Sequence, residues 1–254
     1  MTRWFAVALV LSLPVFAQER SRITITTLDR SFEAKRIEIK EAGGALTLTV
    51  TDASDATSTI PGPDVVEIGF APVESRPAPG ADDVEIVLQT GDRLIGTLGE
   101  PQSEAVQLVT SSLGTVTVPF KHIDQVKFLS HRAEWPKIEE KIERDTLFTA
   151  SGDKPTGIVT SIGRGEIVYI HHRRKREVKL PTKDATLLVF VPTGQPKALP
   201  TSLYAIVQLT DGSEVRGTPK SYGAGGLVFT DLFDTERTVP AGKVAGLYFK
   251  NGRV

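Results

Sequence analysis

The residues with the strongest chemical character in this chain form one run of six, His171-His172-Arg173-Arg174-Lys175-Arg176. Four adjacent cations in a short turn can hold a phosphate, a sulfated or uronic polysaccharide, or anionic lipid headgroups. Each guanidinium or ammonium gives charge-assisted hydrogen bonds to such oxygens. His172, Arg173, Arg174, Lys175 and Arg176 are therefore the candidate anion-binding residues. Two other accounts stand beside this one. The run can be a solvated turn whose charges keep sheet edges from pairing, or it can contact the acidic turn Asp231–Glu236. A metal reading of the two histidines fails on geometry, because successive strand residues point to opposite faces and no further ligand lies at metal spacing.

Catalytic patterns are missing. The chain has no Gly-x-Ser-x-Gly elbow, no phosphate-binding glycine loop and no His-Glu-x-x-His. It contains no cysteine, so a thiol nucleophile and a disulfide framework are both excluded. The acidic pairs Asp82-Asp83 and Glu139-Glu140 fall between apolar runs, where exposed carboxylates are expected. Trp135 is expected to cover a barrel end. The expectation is a protein that is not an enzyme, with no metal and no cofactor. A hydrolase would need two converging carboxylates of raised pKa in a deep pocket. A net charge of −1 does not supply the basic surface that general nucleic-acid binding needs, so no nucleic-acid partner is expected.

The elements that must position these residues emerge when the chain is slid along itself. Val84–Phe128 matches Ala205–Phe249 at a constant offset of 121 without a gap. Leu88, Gly91, Gly96-Thr97, Thr117-Val118-Pro119 and Phe128 meet identical residues at Leu209, Gly212, Gly217-Thr218, Thr238-Val239-Pro240 and Phe249. A further copy lies between, where Gly152 and Gly157 repeat the glycine pair and Leu180-Pro181 and Phe190 repeat the later landmarks. A weaker copy opens at Arg22, with Ile60-Pro61, Val65, Ile68 and Phe70 in register but without the early glycine pair.

Each copy reads as five short strands. Val84, Ile86 and Leu88 alternate with polar neighbours, as a half-buried strand does. Thr90-Gly91-Asp92 makes a tight turn that requires positive φ. The second strand bends at Gly96, where there is no side chain in the way. Val106-Gln107-Leu108 and Val116-Thr117-Val118 form a hairpin, Pro119 ends it, and Gln125–Phe128 closes the unit. Such strands in about 45 residues make a small barrel or rolled sheet. The turn between the third and fourth strands varies most, from neutral to basic at His171–Arg176 to acidic at Asp231–Glu236. Repeat proteins keep a core and vary a face in this way.

The pattern Leu88-x-x-Gly91-x-x-Leu94-x-Gly96, with a closing strand after Pro119, resembles the Sm-like and Src-homology-3-like small barrels. Tandem units of this kind also resemble exported bacterial envelope proteins of unassigned function. The resemblance implies a fold rather than an activity. Phe120-Lys121-His122-Ile123 resembles the Tyr-Lys-His segment lining the RNA site of the Sm-like bacterial RNA chaperones. The other copies read Thr182-Lys183-Asp184 and Ala241-Gly242-Lys243 at this place, so a plain surface turn is the expected outcome.

The expected organisation is an all-β chain of about four tandem five-stranded barrel-like units, at 22–72, 83–130, 145–192 and 203–250, behind a signal peptide at 1–17. Arg3, the apolar run Trp4–Leu13, the helix breaker Pro14 and the small residues before Gln18 predict cleavage after Ala17. No second apolar span follows, so a periplasmic or secreted protein without a transmembrane span is expected. Pro136–Arg144 is expected to form a short linker helix with Ile138 and Ile142 on one face. Units of this size lie near the ~40-residue limit for unstapled folding, so neighbours are expected to pack together in a monomer. The expected role is exported, non-enzymatic binding or scaffolding, with another exported protein or a cell-envelope polymer as partner. Anion binding by the basic hairpin is the alternative.

Overall fold

The structure is a computed structural model that describes residues 23–70, 78–138, 141–193 and 198–251. Residues 1–17, expected to be a signal peptide, lie outside the described residues. The fold is all-β and includes a closed barrel to which many further strands attach. All the described strands belong to one continuous hydrogen-bonded sheet.

Residues 83–128 show how local sequence becomes ladder. Strand Asp83–Leu88 pairs antiparallel with Arg93–Leu98, and the tight turn between them is set by Gly91 at φ 84°. Arg93–Leu98 pairs with Ala105–Thr110, which pairs with Gly114–Pro119. The chain then makes a 3-10 turn at Phe120–His122 and returns as Ile123–Phe128 beside the first strand. Residues 145–189 take the same ladder order through Asp145–Thr149, Thr156–Gly163, Glu166–His171, Glu177–Pro181 and Ala185–Val189. So do residues 203–251, through Leu203–Leu209, Glu214–Gly223, Gly226–Asp231, Glu236–Val239 and Val244–Asn251.

The opening residues follow the same order with one difference. The second strand is broken into Ser31–Ala34 and Arg36–Ala42 at Lys35. Elsewhere this bend sits at Gly96, Gly157 or Gly217, where an added methyl would collide with the carbonyl oxygen of Val109, Ile170 or Thr230. Ala34 stands at the bend in the first segment, and the chain accommodates its methyl by interrupting the strand. Each closing strand is entered the same way. Pro61, Pro119, Pro181 and Pro240, with φ between −54° and −63°, each precede a 3-10 turn. The fixed proline φ starts the turn and the missing N–H ends the ladder. One hydrogen bond then ties the end of the first strand to the turn in every segment: Leu28 N to Asp64 O, Gln89 N to His122 O, Ala150 N to Asp184 O and Thr210 N to Lys243 O.

The segments join by strand pairing as well as side-chain packing. The closing strands of the second and third segments pair through Val126↔Leu188, and those of the first and fourth through Ile68↔Leu247. The same two pairs also meet at Ile162↔Gln102 and at Tyr222↔Ile39. The second and fourth segments touch reciprocally: Ile95 N donates to Ser213 Oγ (3.0 Å) and Arg216 N donates to Asp92 Oδ1 (3.1 Å). Positions 95 and 216, and 92 and 213, are related by the offset of 121 seen in the sequence. A single apolar core runs through all four segments, with Phe128 and Phe229 among its largest fully buried members.

One linker departs from expectation. Among its described residues, Pro136–Arg144 has no helix. The 3-10 structure lies just before it, at Leu129–Glu134. Nine residues are below the length at which a helix holds without tertiary support. The tertiary contact here instead favours extended chain, with Ile142 packed on the satellite cluster of Phe148, Leu187 and Val189.

Candidate functional site: a basic face on the third segment

The hairpin joining Glu166–His171 to Glu177–Pro181 places the basic run at its tip. His171 N donates to Arg176 O (3.0 Å), and Lys175 N donates to His171 O (2.9 Å). Lys175 adopts φ 51°, the left-handed conformation that closes the turn. The His171 ring organises this turn from within, since its Nδ1 faces the backbone N–H groups of Arg173 (3.2 Å) and Arg174 (3.4 Å). An Nδ1 that accepts from the backbone carries no proton and offers no lone pair to a metal. Arg173, Arg174, Lys175 and Arg176 are exposed, and His172 is half-buried with its backbone N–H donated to Thr156 O (2.9 Å).

Thr156 links this hairpin to a second group of cations. It lines a groove of about 390 Å³ together with Lys137, Lys141, Arg144 and Lys154. The groove floor is Phe148, over whose ring Lys154 Nζ sits at 5.5 Å, and Ile142. Glu143 lines the groove with them. The combined field registers on His172, whose imidazole pKa is lowered first by the charge of Arg144, then by desolvation, and then by Lys175, Arg173 and His171. That direction is what a cluster of positive charge around one imidazole produces.

The sequence pointed to His172–Arg176 and missed Arg144, Lys154, Lys137 and Lys141. The available signal was the spacing of Lys137, Lys141 and Arg144, which recur along the linker at three- and four-residue intervals. Chemically the face offers point charges and guanidinium forks above an apolar floor, which suits a polyvalent anion presented on a larger body. No group of three or more His, Asp or Glu side chains lies at metal-binding distance among the described residues.

The other candidates have structural tasks. Asp83 Oδ1 accepts from Thr97 Oγ1 (2.5 Å). Asp82 Oδ1 accepts from Gly165 N (2.8 Å) and Thr182 Oγ1 (2.7 Å), so Asp82 joins the second and third segments while Asp83 serves its own. Trp135 donates from Nε1 to Phe128 O (3.1 Å) and carries Lys127 over its ring at 5.2 Å. Lys127 and Arg93 both pair with Glu85, a carboxylate 6% exposed. The acidic turn is engaged within its own segment, Asp231 with Arg237 (3.0 Å) and Glu236 with Lys220 (2.8 Å). In the Phe120–His122 turn, Gln89 donates from its side chain to Lys121 O and from its backbone to His122 O. The His122 ring lies against Phe233, with centroids 4.6 Å apart. No protein-family model matches the chain, and no curated protein matches it.

Proposed function

We propose that the chain is an exported, non-enzymatic binding protein of the cell envelope that grips a polyanionic polymer through the basic face of its third segment. In this reading the four segments are tandem copies of one five-stranded barrel of the Sm-like or Src-homology-3-like kind. Support for the copies comes from the shared ladder order, the four prolines that open 3-10 turns, and the recurring first-strand bond. The strand pairings between segments support the row first–fourth–second–third, with the sequence-adjacent first and second units apart.

Both ends of that row are blunt, which favours a monomer. The first barrel presents Thr24, Thr26, Ser31 and Glu33 where the second uses its own second strand against the fourth. On the third, Ile142 packs on Phe148, Leu187 and Val189, and Lys137, Lys141 and Arg144 line the groove beside it. Export rests on residues 1–17, and an N-terminus at Gln18 in protein recovered from the periplasm or medium is the result that agrees with it.

The observation that carries the binding role is that the hairpin cations and the groove lined by Lys137, Lys141, Arg144 and Lys154 adjoin at Thr156 and His172, where Arg144, Lys175 and Arg173 all act on one imidazole. Binding of this kind releases counterions, and the log–log salt slope changes by about −0.7 per cation engaged on a flexible polyanion. The test is elution of the mature chain from immobilised sulfated polysaccharide and polyuronate in a salt gradient. Changing Arg173, Arg174, Lys175 and Arg176 to Ser should move elution to lower salt and flatten the slope by about 3. Arg144→Ser with Lys154→Ser should do the same in smaller measure. Unchanged elution of the fourfold variant overturns the reading in favour of scaffolding through sheet edges. Each fourth strand, such as Glu177–Pro181, pairs on only one side and suits strand addition by a partner.

A further inference from the structure

Independently of the basic face, the structure assigns a second binding site, a small-molecule cavity where the acidic hairpin of residues 231–237 lies over the mouth of the 83–128 ladder. We propose that it takes an amphipathic acid, an apolar body of about ten non-hydrogen atoms carrying one carboxylate. The cavity measures about 260 Å³. An apolar cavity of about 150 Å³ holds benzene, so this one has room for an octyl chain or a fused bicyclic ring. Its wall comes from Leu88, Leu94, Val116 and Val118 on one side and Val215 and Phe233 on the other.

The polar side of the cavity determines the charge of the ligand. Asp231 and Arg237 stand there with His122. Both carboxylate oxygens of Asp231 are occupied: Oδ1 accepts from Phe233 N and Thr235 N, each at 2.9 Å, and Oδ2 accepts from Arg237 Nε at 3.0 Å. That contact uses one of the five guanidinium donors of Arg237. Its terminal NH1 and NH2 groups bond no described residue. Asp92, also on the wall, is neutralised by Arg216 NH1 at 2.8 Å. Each cavity carboxylate therefore faces an arginine, Asp231 with Arg237 and Asp92 with Arg216, and the terminal groups of Arg237 remain as charged donors, which selects an acceptor-bearing anion over an amine. Phe233, stacked on His122, closes the hairpin over the apolar body.

The test is calorimetric titration of the full mature chain with octanoate, with 1-octanol as the same body without the acid, and with acetate as the acid without the body. Octanoate should bind one to one, about tenfold or more tighter than 1-octanol, and acetate should give no heat. Leu113→Phe, a substitution at a half-exposed turn position that also lines the cavity, should put a ring into the space the chain occupies and weaken octanoate at least tenfold. Elution from the polyanion column should remain that of the wild type, which separates this site from the basic face. Arg237→Gln should abolish the preference for the acid over the alcohol. The proposal falls if octanoate gives no saturable heat up to millimolar concentration, if Leu113→Phe binds it unchanged, or if 1-octanol binds as tightly.

Discussion

Arg216→Met tests a buried contact between the second and fourth segments. Arg216 reaches from the fourth segment into the second. There NH1 donates to Asp92 Oδ1 and Thr90 O, both at 2.8 Å, and its backbone N–H donates to the same Asp92 oxygen at 3.1 Å. The Asp92 side chain is 2% exposed and that of Arg216 is 22% exposed. Removing one partner of a buried pair costs about 3–5 kcal/mol. The partial exposure of Arg216 and the remaining backbone donor place this variant near the lower end, about 3 kcal/mol. Met keeps most of the aliphatic stem, so the loss is chiefly that of the charge and its hydrogen bonds.

The pH dependence has a definite sign. Burial raises the Asp92 carboxyl above its ordinary value, although the hydrogen bond and charge of Arg216 pull the other way. Without Arg216 it rises further. A carboxyl whose folded pKa is raised favours the folded state when protonated, and that contribution is lost as pH rises through the folded pKa. The deficit of Arg216→Met should therefore be largest at pH 7 and shrink as the pH falls toward 4. Urea unfolding at a series of pH values measures it. Lys220→Met is the control, because its pair with Glu236 is 44% and 60% exposed, and it should cost no more than about 1 kcal/mol. Asp92→Asn placed together with Arg216→Met should recover much of the loss. A deficit below about 1 kcal/mol at pH 7, or one that does not vary with pH, would refute the argument.

Gly157→Ala should destabilise by about 1–3 kcal/mol, since the methyl meets the Ile170 carbonyl in the sheet. Gly165→Ala, at φ 85° with open space around it, should lose only about 1 kcal/mol to backbone strain; equal losses in unfolding experiments would show that the close approach is relieved by a small shift. Glu85→Gln should cost about 2–3 kcal/mol at pH 7, because burial opposes the ionised carboxylate but Arg93 and Lys127 outweigh it and lower its pKa. Stability from a lowered pKa is present above the ordinary carboxylate range and lost as pH falls through the folded value. The variant's acid limb should therefore be flatter than the wild type's, and a parallel limb would contradict this.

Much of the ladder was legible because its constraints are local. Gly91 and Gly212 supply the positive φ of a tight turn, Gly96, Gly157 and Gly217 leave space beneath a neighbouring carbonyl, and four prolines open the closing strands. Each acts within one segment, so residue type and spacing record it. The linker at Pro136–Arg144 was misread because Ile138 and Ile142 fit a helical period, whereas Ile142 is held by Phe148, Leu187 and Val189. The candidate site was half legible. Arg173–Arg176 are adjacent in the chain, whereas Arg144 and Lys154 line a groove that meets the hairpin only through Thr156, whose carbonyl accepts from His172 N.

The sequence alone therefore determined the class of fold, the glycine-marked bends and turns, and the placing of a cationic tip on one hairpin, because these follow from φ, side-chain volume and alternation along a few residues. Tertiary structure alone decided which closing strands pair, that Arg216 neutralises Asp92 at a separation of 124 residues, and that an acidic hairpin lies over an apolar cavity. Closing strands pair through backbone groups that every segment possesses equally, so no residue pattern marks the partner. Only the packing of the whole chain distinguishes Val126 beside Leu188 from Ile68 beside Leu247.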